Sequence, residues 1–426
     1  MSASHVIIGD GIAGSSAAET IREADPDADI TVLTDEGEAL YNRILIKEFA
    51  KGKLPEAPIS IHEPDWYEAR DIVLELNTHV TTVDAGANEV HTHEGDTYDY
   101  DKLLVATGGT PNSLSRYGVE NVDAEGINHF WTFQDARAIR AEAEQAETGI
   151  IVGAGLLGID LAAICGAQKL DAHYLMRGEC WWRYALDREG ADILHDAMRE
   201  RGVTPVFDSG VERFEVDDEG HVEAAVDPNG ERFEGEFAGV AIGLDFNTEF
   251  LRGTPVEHDD SGIHVDEYMR TDDEDIYAAG DITWFYDTIL EAYGENGSWG
   301  SAKEQGSVAG QNMVADAGAG GRSDDPEEFR WVSSYSITHF DFPFLSFGHP
   351  TVGDDDASRK YGDTEWRRVA FKDGKVVGGV LIGDLSQQRK LKKLIREERD
   401  VVHHKDLLMA EDIDMDELES VAPPAE

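Results

Sequence analysis

The stretches "HVIIGDGIAGSSAAET" (5–20) and "GIIVGAGLLGIDLAAI" (149–164) follow one pattern. Each has a short β-branched apolar run, three glycines spaced G-x-G-x-x-G, and then apolar residues at helical period. The first runs on to "ADITVLTDE" (28–36), the second to "DAHYLMRGE" (171–179), each a second strand. Strand, glycine turn, helix and strand make a βαβ unit, so the chain carries two parallel-sheet modules. The first glycine of each turn (Gly9, Gly153) permits a tight bend. The second (Gly11, Gly155) lets a pyrophosphate approach the backbone, and the third (Gly14, Gly158) lets helix pack on strand. Ala13 and Leu157 complete the two turns. A helix N-terminus then faces the phosphates with unpaired N–H groups and a favourable dipole.

The second strands end differently. Asp35 and Glu36 stand about 20 residues beyond the first turn, where carboxylates accept from ribose hydroxyls. In the second copy Met176 and Arg177 occupy that place. Two readings of Arg177 and Arg183 stand: a clamp on the 2′-phosphate of NADPH, or solvated arginines beside an NADH site. Two dinucleotide sites in one chain imply a flavin that stays bound and a nicotinamide that comes and goes.

Punctuation by glycine and acidic turns suggests the organisation. A first dinucleotide-binding part is expected over 1–112 and a second dinucleotide domain over 113–238. The first domain is completed over 239–318. "ADAGAGGRSDDP" (315–326) is a break. It precedes a small α+β domain over 327–401 and an acidic tail over 402–426. The expected fold class is α/β, two Rossmann-like domains plus that C-terminal domain.

The 426 residues carry 36 Lys+Arg against 88 Asp+Glu, a formal charge of −52. Such a chain repels itself in dilute salt, whereas molar salt cuts the Debye length to about 3 Å, so a salt-adapted protein is expected. The same charge disfavours nucleic acid. Residues 327–401 are the exception, with 13 acidic and 13 basic residues. No apolar run reaches the roughly 20 residues of a membrane helix, and "MSASH" lacks a basic leader region, so a cytoplasmic location is expected. Two cysteines, Cys165 and Cys180, cannot hold an iron–sulfur cluster. His91/His93 and His403/His404 lack the companions of a zinc site, so no metal is expected.

Further segments carry a resemblance. "TDDEDIYAAGD" (271–281) resembles the second flavin signature of the two-dinucleotide flavoprotein disulfide reductase superfamily. The resemblance implies that Gly280 and Asp281 bind FAD, Asp281 at the ribityl chain. "LLVATGGTPN" (103–112) resembles that superfamily's crossing between domains, implying Ala106, Thr107 and Gly108 as cofactor contacts, and "AIGLDFNTEFL" (241–251) the return crossing. The glutathione-reductase-like architecture follows from it. "LYNRILIKEF" (40–49) and "FKDGKVVGGVLIGD" (371–384) are similar to the rubredoxin reductase, ferredoxin reductase and nitrite reductase flavin-module branch. By that resemblance Arg43 lies near the FAD pyrophosphate and Lys47 near the flavin ring. Lys47 would be paired with a carboxylate after the second fingerprint, here Asp160, one methylene shorter than the family Glu. "NGSWGSAKEQGSVAG" (296–310) resembles the helix whose N-terminus faces the flavin pyrimidine.

The expected activity is hydride transfer from NADPH or NADH to FAD, then electrons to a one-electron protein such as a ferredoxin or rubredoxin. Neither cysteine lies in the first domain, so a thiol shuttle is not expected. Lys47 and Asp160 are the candidate catalytic pair. Six cations, Arg389, Lys390, Lys392, Lys393, Arg396 and Arg399, crowd one expected helix and suit an acidic redox partner or an ordinary solvated face. A small-molecule reductase or oxidase, a non-catalytic flavin-binding protein and a homodimer remain open.

Overall fold

The computed structural model describes residues 2–422. The chain divides into two compact units: Met1–Asn42, Ala57–Thr110 and Asp245–Ser333 form the first, and Arg43–Glu56, Pro111–Leu244 and Ser334–Glu426 the second.

In the first unit five parallel strands lie in the order Ile276–Ala278, Lys102–Val105, Ser4–Ile8, Asp29–Leu33, Ile72–Glu75. Strand Ser4–Ile8 is central because both its neighbours bury it: Val6 faces Thr31 on one side and Leu103 on the other. Ile7, Val32, Leu33 and Leu103–Val105 have no accessible surface. Each such side chain contributes about 1.5–3 kcal/mol of burial. The chain passes from Ser4–Ile8 to Asp29–Leu33 and Ile72–Glu75 on one side and returns to Lys102–Val105 on the other, so the loop after Ser4–Ile8 sits at a topological switch point, where open α/β sheets bind ligands.

Two helices of this unit meet without side chains between them. A Cβ on Gly306, in helix Trp299–Ala319, would lie 2.0 Å from the Ala13 carbonyl oxygen, and one on Gly310 would lie 2.8 Å from that of Ala17. Ala13 and Ala17 belong to helix Ile12–Ala24. The far half of the long helix is tied by a buried pair, Arg270 Nε and Nη2 donating to Asp316 at 3.0 and 2.6 Å. Removing one member of such a pair costs about 3–5 kcal/mol.

The second unit repeats the parallel arrangement: Val203–Val206, Asp171–Leu175, Thr148–Val152, Phe237–Val240, Ile127–His129. It also holds a five-stranded antiparallel sheet ordered Ser334–His339, Phe342–Gly348, Lys375–Ile382, Glu365–Lys372, Asp355–Tyr361, with helix Gln388–Arg396. The α/β class and the small C-terminal sheet expected from sequence are present.

Three segments are seen in the structure in more detail than the sequence-based boundaries give. Residues 43–56, placed by sequence in the first domain, cluster with the second unit. Their short helix Ile46–Ala50 packs edge-on, Phe49 to Phe133 at 5.2 Å. The C-terminal sheet is part of the second unit too: the Trp366 ring fills the space beside Gly190, 2.7 Å from where a Cβ would stand. Third, the acidic tail is folded through residue 422, with helices Lys405–Leu408 and Met415–Val421 and with Leu408, Met409, Ile413 and Leu418 buried. Its last four residues, 423–426, lie outside the described residues.

That tail changes the basic helix. Lys390 is paired with Asp412 at 2.5 Å and Lys393 with Glu419 at 2.6 Å. Arg399, beyond the helix end, is buried and donates to the Ala422 carbonyl at 2.7 Å. Lys392 donates to Ser334 at 2.8 Å. Arg389 and Arg396 alone of the six lack such partners among the described residues and are exposed.

Candidate functional site

The first glycine turn divides its labour as the spacing requires. Gly9 has φ +107°, and a Cβ there would lie 2.3 Å from the Ala106 carbonyl oxygen. A Cβ on Gly14 would lie 1.9 Å from the Gly9 carbonyl oxygen. Both positions are closed by packing. At Gly11 nothing among the described residues stands within 4 Å of the missing Cβ, and Gly11 is the N-cap of helix Ile12–Ala24 with no side-chain cap among them. An open approach onto uncapped N–H groups is what a pyrophosphate needs. The residues fit FAD on this count.

Around that turn, Gly280 (φ +89°) stands over Ala13, its missing Cβ 3.2 Å from the alanine methyl. Its N–H donates to the buried Gln305 Oε1 at 2.7 Å, and Thr283 Oγ1 donates to the same oxygen at 3.0 Å. Gln305, on the long helix, thereby fixes the Gly280–Asp281 turn. Sequence reading passed over it. Thr107 is exposed and Gly108 adopts φ +63° at the end of strand Lys102–Val105. Of the two acids after strand Asp29–Leu33, Asp35 is exposed and 3.4 Å from His79, while Glu36 accepts from Tyr41 Oη at 2.7 Å.

Asp10, inside the turn, was also missed. Tyr67 Oη donates to its Oδ1 at 2.6 Å, while Oδ2 is buried with no hydrogen-bond partner among the described residues. Burial pushes its carboxyl up to about 7, against the lowering effect of the Tyr67 bond. Ser15 Oγ lies 3.1 Å from His62 Nδ1, and burial first, then Arg70, pulls that imidazole down to about 4.

The second turn has the same geometry. Gly153 (φ +114°) would put a Cβ 1.9 Å from the Ala241 carbonyl oxygen, and Gly158 one 2.0 Å from that of Gly153. Gly155 is open and uncapped. Its carbonyl accepts from the indole of Trp181 at 3.2 Å, and the Trp181 N–H donates to His195 Nε2 at 3.1 Å. Trp181 thus braces the second turn rather than filling open space in it. Leu157 is half-buried in the first turn of helix Leu156–Gln168. Met176 is buried, whereas Arg177 and Arg183 are exposed, and neither is ion-paired to a carboxylate among the described residues. Arg183 lies across Gly178, its Cδ 2.8 Å from where a Cβ would be. Both guanidinium groups stay near the end of strand Asp171–Leu175, where a 2′-phosphate would come.

Arg43 belongs to the second unit, where it donates to the Trp131 carbonyl at 2.7 Å and lies over that ring. Lys47 and Asp160 do meet, at 3.4 Å, both buried. The carboxylate is held harder elsewhere: His339 Nε2 stands 2.5 Å from Asp160 Oδ1, and Tyr335 Oη stands 3.4 Å away. Lys51 Nζ approaches His339 Nδ1 at 3.1 Å and Glu48 Oε1 at 2.7 Å. The His339 hydrogen bond and the Lys47 charge keep the Asp160 carboxyl below its ordinary value despite full burial. One missing methylene leaves Lys47 at the long end of ion-pair range, and an imidazole takes the near position. No signal local to "SITHFDF" marks His339 as a partner of Asp160.

Neither cysteine resembles a redox thiol. Both are buried in the second unit, and burial pushes the Cys165 thiol up to about 12 and the Cys180 thiol above its usual value. Nucleophilic thiols need the opposite shift. Among the described residues no group of three or more His, Cys, Asp or Glu could hold a metal, and no helix is long and apolar enough to cross a membrane.

Known proteins agree with this geometry. Residues 3–306 match the family model "Pyridine nucleotide-disulphide oxidoreductase", and 336–399 match "Rubredoxin NAD+ reductase C-terminal domain". The chain is 27% identical to a monodehydroascorbate reductase, seedling isozyme, of Cucumis sativus, over 96% of this chain and 97% of that protein. It is 28% identical to the NADH-rubredoxin oxidoreductase of Clostridium acetobutylicum, over 92% and 93%. In structure it is similar to putidaredoxin reductase in its covalent complex with putidaredoxin: TM-score 0.89, 22% identity, 99% of each chain. The chain therefore belongs to the pyridine nucleotide-disulphide oxidoreductase family, as an FAD-dependent NAD(P)H:acceptor oxidoreductase with a rubredoxin-reductase-type C-terminal domain.

Proposed function

We propose that this enzyme passes hydride from NAD(P)H to FAD and delivers the electrons singly to a small redox protein of the ferredoxin or rubredoxin class. The observation that carries the acceptor is the state of its thiols: both are buried with raised pKa values, so no dithiol stands ready to take the electrons. The likeness to an NADH-rubredoxin oxidoreductase supports the same acceptor class.

FAD, when bound, accepts two electrons as hydride and releases them one at a time. The chain's residues do the rest. Gly11 and Gly155 expose helix N-termini to the two pyrophosphates, Glu36 and Asp281 take sugar hydroxyls, and Arg177 with Arg183 favours NADPH by offering a 2′-phosphate two exposed guanidinium groups that have no carboxylate partner among the described residues. Lys47, oriented by Asp160, is the residue that the family resemblance assigns to the flavin ring. Hydride transfer itself needs alignment more than acid or base.

The test is anaerobic. NADPH and NADH are added separately to the FAD-loaded protein in molar KCl while the flavin band is followed, and the reduced protein is then mixed with a ferredoxin, a rubredoxin, a quinone and oxygen. Bleaching followed by fast reoxidation by an iron–sulfur protein supports the reading. A flavin that neither nucleotide bleaches sinks it. The resemblance to monodehydroascorbate reductase favours a second reading, a small organic acceptor, which faster reoxidation by quinone would select.

A further inference from the structure

Within the second unit a line of polar groups runs from the half-buried Glu48 through the buried Lys51, His339, Asp160 and Lys47, each within 3.4 Å of the next. The groups come from three places in the sequence: the helix Ile46–Ala50 and its cap, helix Leu156–Gln168, and the end of strand Ser334–His339. His339 is 2% exposed and Asp160 4%. The directions of the bonds are set by chemistry. Burial lowers the Lys51 pKa, opposed by the Glu48 hydrogen bond and charge; as an ammonium, with three donors and no acceptor, Lys51 at 3.1 Å makes the Nδ1 of His339 the lone-pair nitrogen. The ring proton then sits on Nε2 and is given to Asp160 Oδ1 at 2.5 Å. A second proton on the imidazole would set two donors face to face.

We propose that Lys51 and His339 act as a tautomer lock. Lys51 fixes the His339 proton on Nε2, and His339 in turn holds Asp160 as an oriented carboxylate for Lys47 throughout the neutral pH range. His339 and Lys51 are positioning residues, acting through Asp160. The other charged or titratable groups around them agree with this assignment. Lys53 lies 3.9 Å from Glu48, Tyr335 from the same strand offers its hydroxyl to Asp160, Tyr174 is buried near Gly158, and Asp341 in the following turn is taken up by Arg201. None of them offers Nδ1 a competing acceptor. Burial lowers the His339 pKa, opposed by the Asp160 bond, which favours the neutral ring. The value of the lock for hydride transfer rests on the function proposed above; the lock itself does not.

The experiment uses the full-length, FAD-loaded protein with ¹⁵N-histidine, the His339 signals being assigned by their loss in His339→Gln. The expected spectrum shows a protonated Nε2 and a bare Nδ1, unchanged from about pH 5.5 to about pH 8.5. In Lys51→Met, Nδ1 is released and His339 titrates inside that window, and the flavin midpoint potential gains an inflection at the same pH. Lys51→Arg, which keeps a donor, restores the flat profile. A parent protein whose His339 carries its proton on Nδ1, or titrates in the window, overturns the proposal. So does Lys51→Met with an unmoved His339. If that variant does not fold, the parent spectrum decides alone. Adding NADPH or NADH to the same sample separates the two ideas: a locked histidine beside an unbleached flavin removes the hydride-transfer reading and leaves the lock intact.

Discussion

His339 Nε2 is 0.9 Å closer to Asp160 than Lys47 Nζ is, at 2.5 against 3.4 Å, so the carboxylate expected to serve one lysine is shared with an imidazole 179 residues away. Asp160→Asn keeps the shape but removes the charge from between two cations and a histidine. Flavin reduction by NAD(P)H should slow on the order of 10- to 100-fold, the scale of a small misplacement near the reacting atoms. Stopped-flow bleaching reads this directly, and a rate within twofold of the parent would show that Asp160 does not orient Lys47.

The glycines separate folding from phosphate binding. Gly14→Ala forces a methyl into a carbonyl and should yield little folded protein, whereas Gly11→Ala meets open space. Gly11→Ala should therefore melt within about 2–4 °C of the parent apoprotein and yet lose FAD affinity by tenfold or more. Gly155→Ala should retain FAD and raise the KM for the nicotinamide. Equal FAD affinity in Gly11→Ala would mean that the turn is packing alone.

Asp10 gives FAD binding a pH dependence. With its carboxyl pushed up to about 7, the folded apoprotein holds a proton that the unfolded chain, with an ordinary aspartate, has already lost. Between those two values the folded state binds more protons than the unfolded one, so this group's contribution to stability falls as pH rises toward 7. Its ionised form also sets a negative charge beside the phosphate approach. FAD affinity of the apoprotein should weaken about tenfold from pH 6 to pH 8, and Asp10→Asn should flatten that slope. Isothermal titration of both proteins across this range tests it; parallel slopes would clear Asp10.

Arg177 and Arg183 make a selective prediction. Replacing both with alanine should raise the KM for NADPH by about tenfold or more, in line with the strength of charge-assisted bonds to phosphate, and leave that for NADH near the parent value. Equal effects on both nucleotides would assign the pair to the protein surface.

Of the six cations that suit an acidic partner, only Arg389 and Arg396 keep their charge free of protein partners among the described residues. Arg389→Glu/Arg396→Glu should lower the rate of reduction of an acidic ferredoxin and flatten its salt dependence, without changing flavin bleaching. Unchanged acceptor kinetics would move the docking surface elsewhere.

The doubly glycine-marked architecture was legible because each turn imposes a local demand that only glycine meets and lies inside a contiguous strand–helix pattern. Lys47 and Asp160 were legible through a resemblance. His339, Lys51, Gln305 and Asp10 were not. His339 sits among aromatics in "SITHFDF" and reads as core, since its partners are fixed by an antiparallel sheet folding back over a distant helix. Asp10 occupies a variable place in the glycine pattern, and its neighbour Tyr67 lies 57 residues on. The folded tail escaped notice because its apolar residues, Leu408, Met409, Ile413 and Leu418, are sparse among eight acids.

The hook formed by Asp412, Glu419 and the Ala422 carbonyl has a practical side. Trimming the chain behind residue 404 would take Asp412 from Lys390, Glu419 from Lys393 and the Ala422 carbonyl from Arg399, leaving Lys393 and Arg399 to share Glu397. The face of helix Gln388–Arg396 would lose two carboxylates and become more cationic on an otherwise anionic molecule. A nicked preparation should then bind cation-exchange resin and carry contaminating nucleic acid, while the intact enzyme flows through. Purification behaviour thus becomes an assay for whether the last helix is seated, and it argues for placing affinity tags at the other end of the chain.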